Sequence, residues 1–321
     1  MPRLHMRKTD PRVTVILNAG AGGGHAPEAV ERLRSKLAAA GLLPNVLQVR
    51  GEQIHAETRN AVAAGVGAVV AGGGDGTVSA VAAMLSGTTT PLGVLPMGTL
   101  NHFAKDLGIP LDEDAAIANV AAGHCKAVDV AAGHCKAVDV GDVNGRVFIN
   151  NSSLGLYPDI VRERNHRQHR LGHGKWRALL DASINAARRY PVLDVTVELD
   201  GKTLARRTPF VFIGNNAYTM EGFEIGERRA LDQGLLSLYL THRMGRFGLL
   251  QLAVRALLHR LQQARDFDVV AAQQFTVHAQ HRHLRVATDG EVSMMNTPLR
   301  YSTRPGALQV IVPAGPQTPA K

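Results

Sequence analysis

Val66-Gly67-Ala68-Val69-Val70-Ala71-Gly72-Gly73-Gly74-Asp75-Gly76-Thr77-Val78-Ser79-Ala80-Val81-Ala82-Ala83-Met84-Leu85 is the stretch that decides the fold class. Residues 66–71 read as a buried parallel strand and Val78 to Leu85 as a helix, with Gly73-Gly74-Asp75-Gly76-Thr77 at the junction. Glycines there let the backbone take positive φ and let phosphate oxygens approach the N–H groups. The helix that follows presents its positive dipole end to the same anion. Asp75 is unusual beside phosphates and implies a cation or bound water between them. Taken alone, the segment is also compatible with a purely structural strand-to-helix turn.

Outward from this segment, strands and helices alternate. Val13 to Leu17 reads as a strand, residues 18–24 as a glycine-rich turn, and Glu28 to Ala40 as a helix with apolar Val30, Leu33, Leu37 and Ala38. Val46 to Val49 reads as a strand, Gln53 to Ala64 as a helix, and Leu92 to Leu95 as a further strand. This order predicts a parallel sheet with crossover helices, whose ligands bind beyond the carboxyl ends of the strands. The loops 18–24, 72–77 and 96–101 should therefore converge on one crevice.

From about residue 141 the pattern becomes one of short alternating strands. Arg146 to Ile149, Leu193 to Leu199, Phe210 to Ile213, Leu235 to Leu240, Phe275 to Ala279, Leu284 to Thr288 and Leu308 to Val312 read this way. Asp200-Gly201 and Asp289-Gly290 are turn signals, and helices are expected near 175–190 and 245–265. The expected architecture is an α/β domain over 1–140, rejoined by 306–321, and an antiparallel β-sandwich domain over 141–305.

The 321 residues are 45% hydrophobic and 20% charged, which fits a globular chain of about two domains. A net charge of +9 favours anionic partners, while 4% aromatic content disfavours stacked recognition of single-stranded nucleic acid. No apolar run reaches the roughly 18 residues that span a bilayer, so a cytoplasmic location is expected. Both cysteines, Cys125 and Cys135, lie in a tandem copy of AAGHCKAVDV at 121–130 and 131–140. Its even length keeps the same strand face inward whichever copy is used. The pair has neither metal-ligand spacing nor the look of a secreted disulfide framework.

A third loop narrows the reading: Pro96-Met97-Gly98-Thr99-Leu100-Asn101-His102-Phe103-Ala104-Lys105-Asp106-Leu107-Gly108-Ile109-Pro110. Together with Gly73-Gly74-Asp75-Gly76-Thr77, it resembles the diacylglycerol kinase catalytic domain family, especially its bacterial soluble lipid kinases. That family is related to sphingosine kinases and NAD kinases. The resemblance extends to Ile16-Leu17-Asn18, Phe148-Ile149-Asn150-Asn151-Ser152-Ser153-Leu154-Gly155, Leu231-Asp232-Gln233-Gly234-Leu235-Leu236 and Asp289-Gly290-Glu291. It implies ATP and Mg²⁺ as cofactors and a lipid hydroxyl, foremost that of diacylglycerol, as phosphoryl acceptor.

By this resemblance Asn18, Gly73, Gly74, Asp75, Gly76, Thr77, Val78, Ser79, Gly98, Thr99 and Asn101 hold the nucleotide, with Asp75 organising Mg²⁺ and Glu52 a looser member of that network. Helix capping is the competing role for Thr99 and Asn101. Where many members of that family carry Asn-Asp-Phe, this chain has Asn101-His102-Phe103, which leaves the metal network, not the fold, open. Asp289 and Glu291 become the catalytic acids, with Glu291 favoured as base. Two residues apart in extended geometry they would share a face; the competing reading is an ordinary Asp-Gly hairpin turn followed by a surface Glu. Asp232 with the carbonyls of Leu235 and Ser237 resembles a structural Mg²⁺ loop of some bacterial relatives, with a plain turn as the competing reading. The basic stretch Arg162 to Arg177 reads either as peripheral contact with an anionic membrane surface or as a solvated helix face or loop. His166, His169 and His173 within it have one-face helical spacing but no acidic or thiol partner for a metal, and the stripe Arg246 to Arg265 fits a core helix. No nucleic-acid partner is expected, and self-association as a homodimer is left open. The alternatives are an NAD kinase-like enzyme and a nucleotide- or lipid-binding protein with little turnover.

Overall fold

In the computed structural model, residues 10–20, 26–123, 135–155, 193–219, 228, 230–241 and 267–314 are described. The chain forms two units, residues 1–138 with 306–321, and residues 139–305. The expected helices near 175–190 and 245–265, the basic stretch with its histidines, and the Arg246 to Arg265 stripe lie outside the described residues.

In the first unit Arg12–Asn18 (β1), Leu43–Val49 (β2), Ala68–Gly73 (β3) and Leu92–Pro96 (β4) form a parallel sheet in the order β2-β1-β3-β4. All six residues of β3 are buried, as a strand with parallel neighbours on both sides and helices over both faces requires. The helices are Pro27–Ala39 (α1), Ile54–Ala63 (α2), Asp75–Leu85 (α3), His102–Asp106 (α4) and Glu113–Ala122 (α5). Leu33 and Leu37 of α1 join Val15, Val70, Ile117 and Val120 in one core, but Ala38 is exposed because it sits off their stripe. The Asp112 carboxylate caps α5 by accepting the Ala115 N–H at 3.0 Å.

Cys135–Val143 (β5) starts in this unit and ends in the second, which continues with Arg146–Phe148 (β6), Asn151–Gly155 (β7), Leu193–Leu199 (β8), Lys202–Thr208 (β9) and Phe210–Asn215 (β10). Leu236–Thr241 (β11), Phe267–Ala272 (β12), Gln274–Ala279 (β13), His283–Thr288 (β14), Glu291–Asn296 (β15) and Leu299–Ile311 (β16) complete it. The order β12-β11-β10-β7-β14-β15 forms one antiparallel sheet, and β9-β8-β13 with the start of β16 the other. Phe148, Leu154, Ile213, Leu238, Phe275 and Tyr301 form their shared core. The end of β16 lies in the first unit, where Val310 pairs in parallel with Leu92 of β4.

The doubled segment is divided between two elements. Ala121 and Ala122 of the first copy close α5, and Cys135 to Val140 of the second copy open β5. Strand β16 begins at Leu299, nine residues before the expected start. Pro305-Gly306 reads as a break in sequence, yet the strand runs through it with Gly306 at φ +58°. Strand β9 escapes a hydrophobic reading because it is an edge strand exposed at most positions.

Candidate active site

The parallel strands of the first unit bring three loops to one sheet edge. Leu17 pairs with Gly72 and Gly73 pairs with Pro96, so the loops after β1, β3 and β4 leave from the same carboxyl ends. Asn18 turns its Oδ1 onto the Gly20 N–H at 2.9 Å, and residues 21–25 of that loop lie outside the described residues. The other two loops lock together. Met97 donates its N–H to the Gly73 carbonyl at 2.9 Å, and a Cβ on Gly98 would stand 2.5 Å from the Gly74 Cα. No side chain but hydrogen fits at that crossing.

Asn101 stabilises this arrangement from within. Its Oδ1 accepts the Gly98 N–H at 3.0 Å and its Nδ2 donates to the Gly98 carbonyl at 2.8 Å, with the residue itself left-handed at φ +50°. Asn101 therefore shapes the loop rather than presenting a free amide to a ligand. Thr99 is exposed and makes no such commitment. Thr77 is buried over the Gly73 backbone, where a Cβ on Gly73 would lie 2.6 Å from the Thr77 Oγ1. Its hydroxyl is thus packed into the turn.

Helix α3 begins at Asp75 with Gly74 as an extended N-cap and no side-chain cap. Thr77 and Val78 bond back to the Gly74 carbonyl, which leaves the first-turn N–H groups of Asp75 and Gly76 outside the helical ladder. A ligand anion would satisfy them. Asp75 is half-buried, and its Oδ1 makes a long 3.4 Å contact with the Phe103 N–H. Val78 is buried in the core, and the Ser79 hydroxyl is buried with no partner among the described residues. His102 and Glu52 are exposed.

In the second unit Asp289 and Gly290 form the two-residue turn between β14 and β15, at φ +48° and +85°. They are not in extended geometry, so Asp289 and Glu291 do not share a strand face as the spacing suggested. The Asp-Gly pair takes the mirror-image turn whose twist matches antiparallel strands. Asp289 accepts the N–H groups of Ile149 at 2.8 Å, Asn150 at 2.8 Å and Asn151 at 3.0 Å, using both oxygens. Glu291 instead points outward, its side chain 66% exposed and paired with Arg146 at 2.9 Å. Of the two acids, Glu291 has the accessible carboxylate.

Around Asp232 the chain makes an irregular loop. Asp232 is exposed, the Leu235 carbonyl accepts the Asn216 N–H at 2.9 Å, and Ser237 sits within β11 between two neighbours. The buried acid that holds this loop is Asp139, whose Oδ2 accepts the Gly234 N–H at 2.6 Å. Sequence reasoning missed Asp139 because it lies in the repeat. It also missed Arg228, which stands in a charged run that reads as surface.

An α/β unit with glycine loops gathered at its strand ends, and a second unit of two antiparallel sheets bearing an accessible acid, define a mixed α/β plus β-sandwich class of protein. Within that class the chain belongs to the diacylglycerol kinase catalytic domain family. Residues 12–132 match the Diacylglycerol kinase catalytic domain, and 159–312 match the YegS C-terminal NAD kinase beta sandwich-like domain. A Pseudomonas aeruginosa PAO1 protein named "Probable lipid kinase YegS-like" is 30% identical over 327 residues, covering 95% of each chain. The Diacylglycerol kinase of Mycobacterium tuberculosis H37Rv is 28% identical over 309 residues, 94% of this chain and 95% of that one. A solved diacylglycerol kinase structure from Bacillus anthracis str. Sterne superposes with a TM-score of 0.65 at 20% identity, covering 95% and 98%, and shows the fold. The family supports a lipid kinase activity and implies ATP as phosphate donor. Among the described residues no helix is long and apolar enough to cross a membrane.

Proposed function

We propose that the chain transfers the γ-phosphoryl group of ATP to a lipid hydroxyl, with diacylglycerol as the substrate. The observation that carries this is the backbone crossing of Gly74 and Gly98 over the uncapped start of α3. It forms a narrow cradle of N–H donors with no side chain in the way, suited to a triphosphate. Asp75 beside that cradle, half-buried and only weakly engaged by Phe103, fits a hydrated Mg²⁺. When bound, the cation would neutralise charge on the β- and γ-phosphates.

Glu291 is the group that accepts the hydroxyl proton, because its carboxylate is accessible while both Asp289 oxygens serve the 149–151 backbone. Asp289 then fixes the hairpin. The sheet face opposite the shared core carries a second, smaller apolar cluster, with Phe212, Tyr218 and Tyr239 buried together. Val269, Tyr239, Phe212, Ser153, Ala287 and Val292 stand in cross-strand register there. The buried Ser153 hydroxyl in that row has no partner among the described residues. Asp232, with the carbonyls of Leu235 and Ser237, would hold a structural cation through its exposed carboxylate. The charge of +9 favours peripheral contact with anionic membranes in a cytoplasmic setting.

Radiolabelled ATP is offered with a micellar panel of diacylglycerol, phosphatidylglycerol and a sphingoid base, and separately with NAD⁺. Labelled phosphatidic acid is expected from the wild type, with Asp75→Ala and Glu291→Ala each lowering the rate at least about 100-fold. Equal labelling by all three proteins would refute the site, and labelling of NAD⁺ alone would move the acceptor to the dinucleotide.

A further inference from the structure

Arg228 is an arginine that the phosphotransfer reading does not use, and it is only 4% exposed. Its guanidinium carbon lies 5.3 Å from the Tyr218 ring centre. Nη1 donates to the Ile149 carbonyl at 2.7 Å and Nη2 to the Asn150 Oδ1 at 2.7 Å. The Ile149 carbonyl and the Asn150 N–H belong to one peptide unit. That N–H is the one Asp289 accepts at 2.8 Å. A single peptide thus takes a cation on its oxygen and a carboxylate on its nitrogen, and each bond polarises the unit toward the other. Asn215 reinforces the clamp, its Nδ2 donating to the same Ile149 carbonyl at 3.0 Å and its N–H to the Asn150 carbonyl at 2.9 Å.

We propose that Arg228 is a positioning residue, joined to Asp289 through the 149–150 peptide, which holds the Asp289-Gly290 turn and so the carboxylate of Glu291. The relay explains a buried guanidinium beside backbone carbonyls, since a fork of donors in one plane can grip two acceptors at once. It also accounts for Asp289 spending both oxygens on three consecutive N–H groups. Arg228 acts through the segment joining β6 to β7 and touches no reacting atom. Its kinetic consequence rests on the proposed phosphotransfer.

The test is a double-mutant cycle in the full chain with Arg228→Met, Arg228→Lys and Asp289→Asn, followed by kinetics with ATP and diacylglycerol. Arg228→Met is expected to lower kcat roughly 10- to 100-fold while the ATP KM stays within about twofold. In the Asp289→Asn background the same change should cost less than about threefold more, since both act on one hairpin. Arg228→Lys should recover part of the loss, because an ammonium keeps the charge but lacks the fork. Multiplicative losses, or an unchanged kcat, would overturn the relay. Amide hydrogen exchange at Asn150 and Asn151 is read in the same proteins. Exchange at least about tenfold faster in Arg228→Met or Arg228→Lys, with the rest of the sheet unchanged, supports the relay. Unchanged exchange refutes it, even if the wild type proves to have no lipid kinase activity at all.

Discussion

Gly98 and Gly76 illustrate opposite steric demands at the proposed cradle. At Gly98 any Cβ would meet the Gly74 Cα at 2.5 Å and the Asn101 Oδ1 at 2.7 Å, so Gly98→Ala must spread the two loops. Overpacking of this kind costs about 1–3 kcal/mol and should also weaken ATP binding at least about tenfold. At Gly76 a Cβ would find nothing within 4 Å, inside the first turn of a helix. Gly76→Ala should therefore leave folding unchanged or add up to about 1 kcal/mol, since alanine favours helix. The new methyl nonetheless stands on the open side, where phosphates would approach the N–H groups. Calorimetric titration with ATP is expected to show weaker binding by Gly76→Ala despite its intact melting temperature. Undiminished affinity in that variant would contradict phosphate binding at these N–H groups.

At the scale of elements, the repeat and the Asp-Gly hairpin repay comparison. The first copy supplies the end of α5 and the second supplies the start of β5, with twelve residues between Ala122 and Cys135. Removing residues 124–133 leaves both elements with their present sequences and shortens the connection to two residues, within the usual range for a helix-to-strand loop. The single-copy chain is expected to melt within a few degrees, about 5 °C, of the full chain, as read by circular dichroism. A much larger drop would mean that the extra copy itself stabilises the fold. In the second unit, β14 and β15 are held by a turn whose backbone angles follow from its residues. That turn was legible, but what grips Asp289 was not. Ile149, Asn150 and Asn151 come from about 140 residues earlier in the chain, and no local pattern marks a main-chain donor.

For the molecule as a whole, a loss of stability at alkaline pH is expected from the core of the second unit. Tyr301 is buried there with Phe275 stacked at 5.2 Å and Phe148 edge-on at 6.4 Å, its hydroxyl 3.1 Å from the Ser152 Oγ. Burial raises its pKa well above the ordinary tyrosine value, and burial likewise raises that of Tyr239. Below pH about 10 both the folded and unfolded chains keep these protons. Above it the unfolded chain ionises while the folded chain resists, so stability is lost as pH rises. Tyr301→Phe should flatten that alkaline loss, at about 1 kcal/mol for the Ser152 bond near neutral pH. Urea midpoints at pH about 8 and about 10.5 would check the sign, and parallel declines in the two proteins would contradict it.

By itself the sequence determined the alternating elements of the first unit, the strand-rich second half and the glycine loops at the strand ends. Each of these is a local matter: periodicity, glycine at a junction, an Asp-Gly turn. Strand β9 and the early start of β16 lay beyond it, because an exposed edge and a Pro-Gly pair contradict the local signal that strands normally give. Only the tertiary structure decided that Asn101 clasps its own loop, that Thr77 packs into the turn, and that Asp289 is occupied while Glu291 is accessible. Those outcomes turn on which donors and acceptors distant segments bring within about 3 Å of one another, a distance that spacing along the chain does not encode.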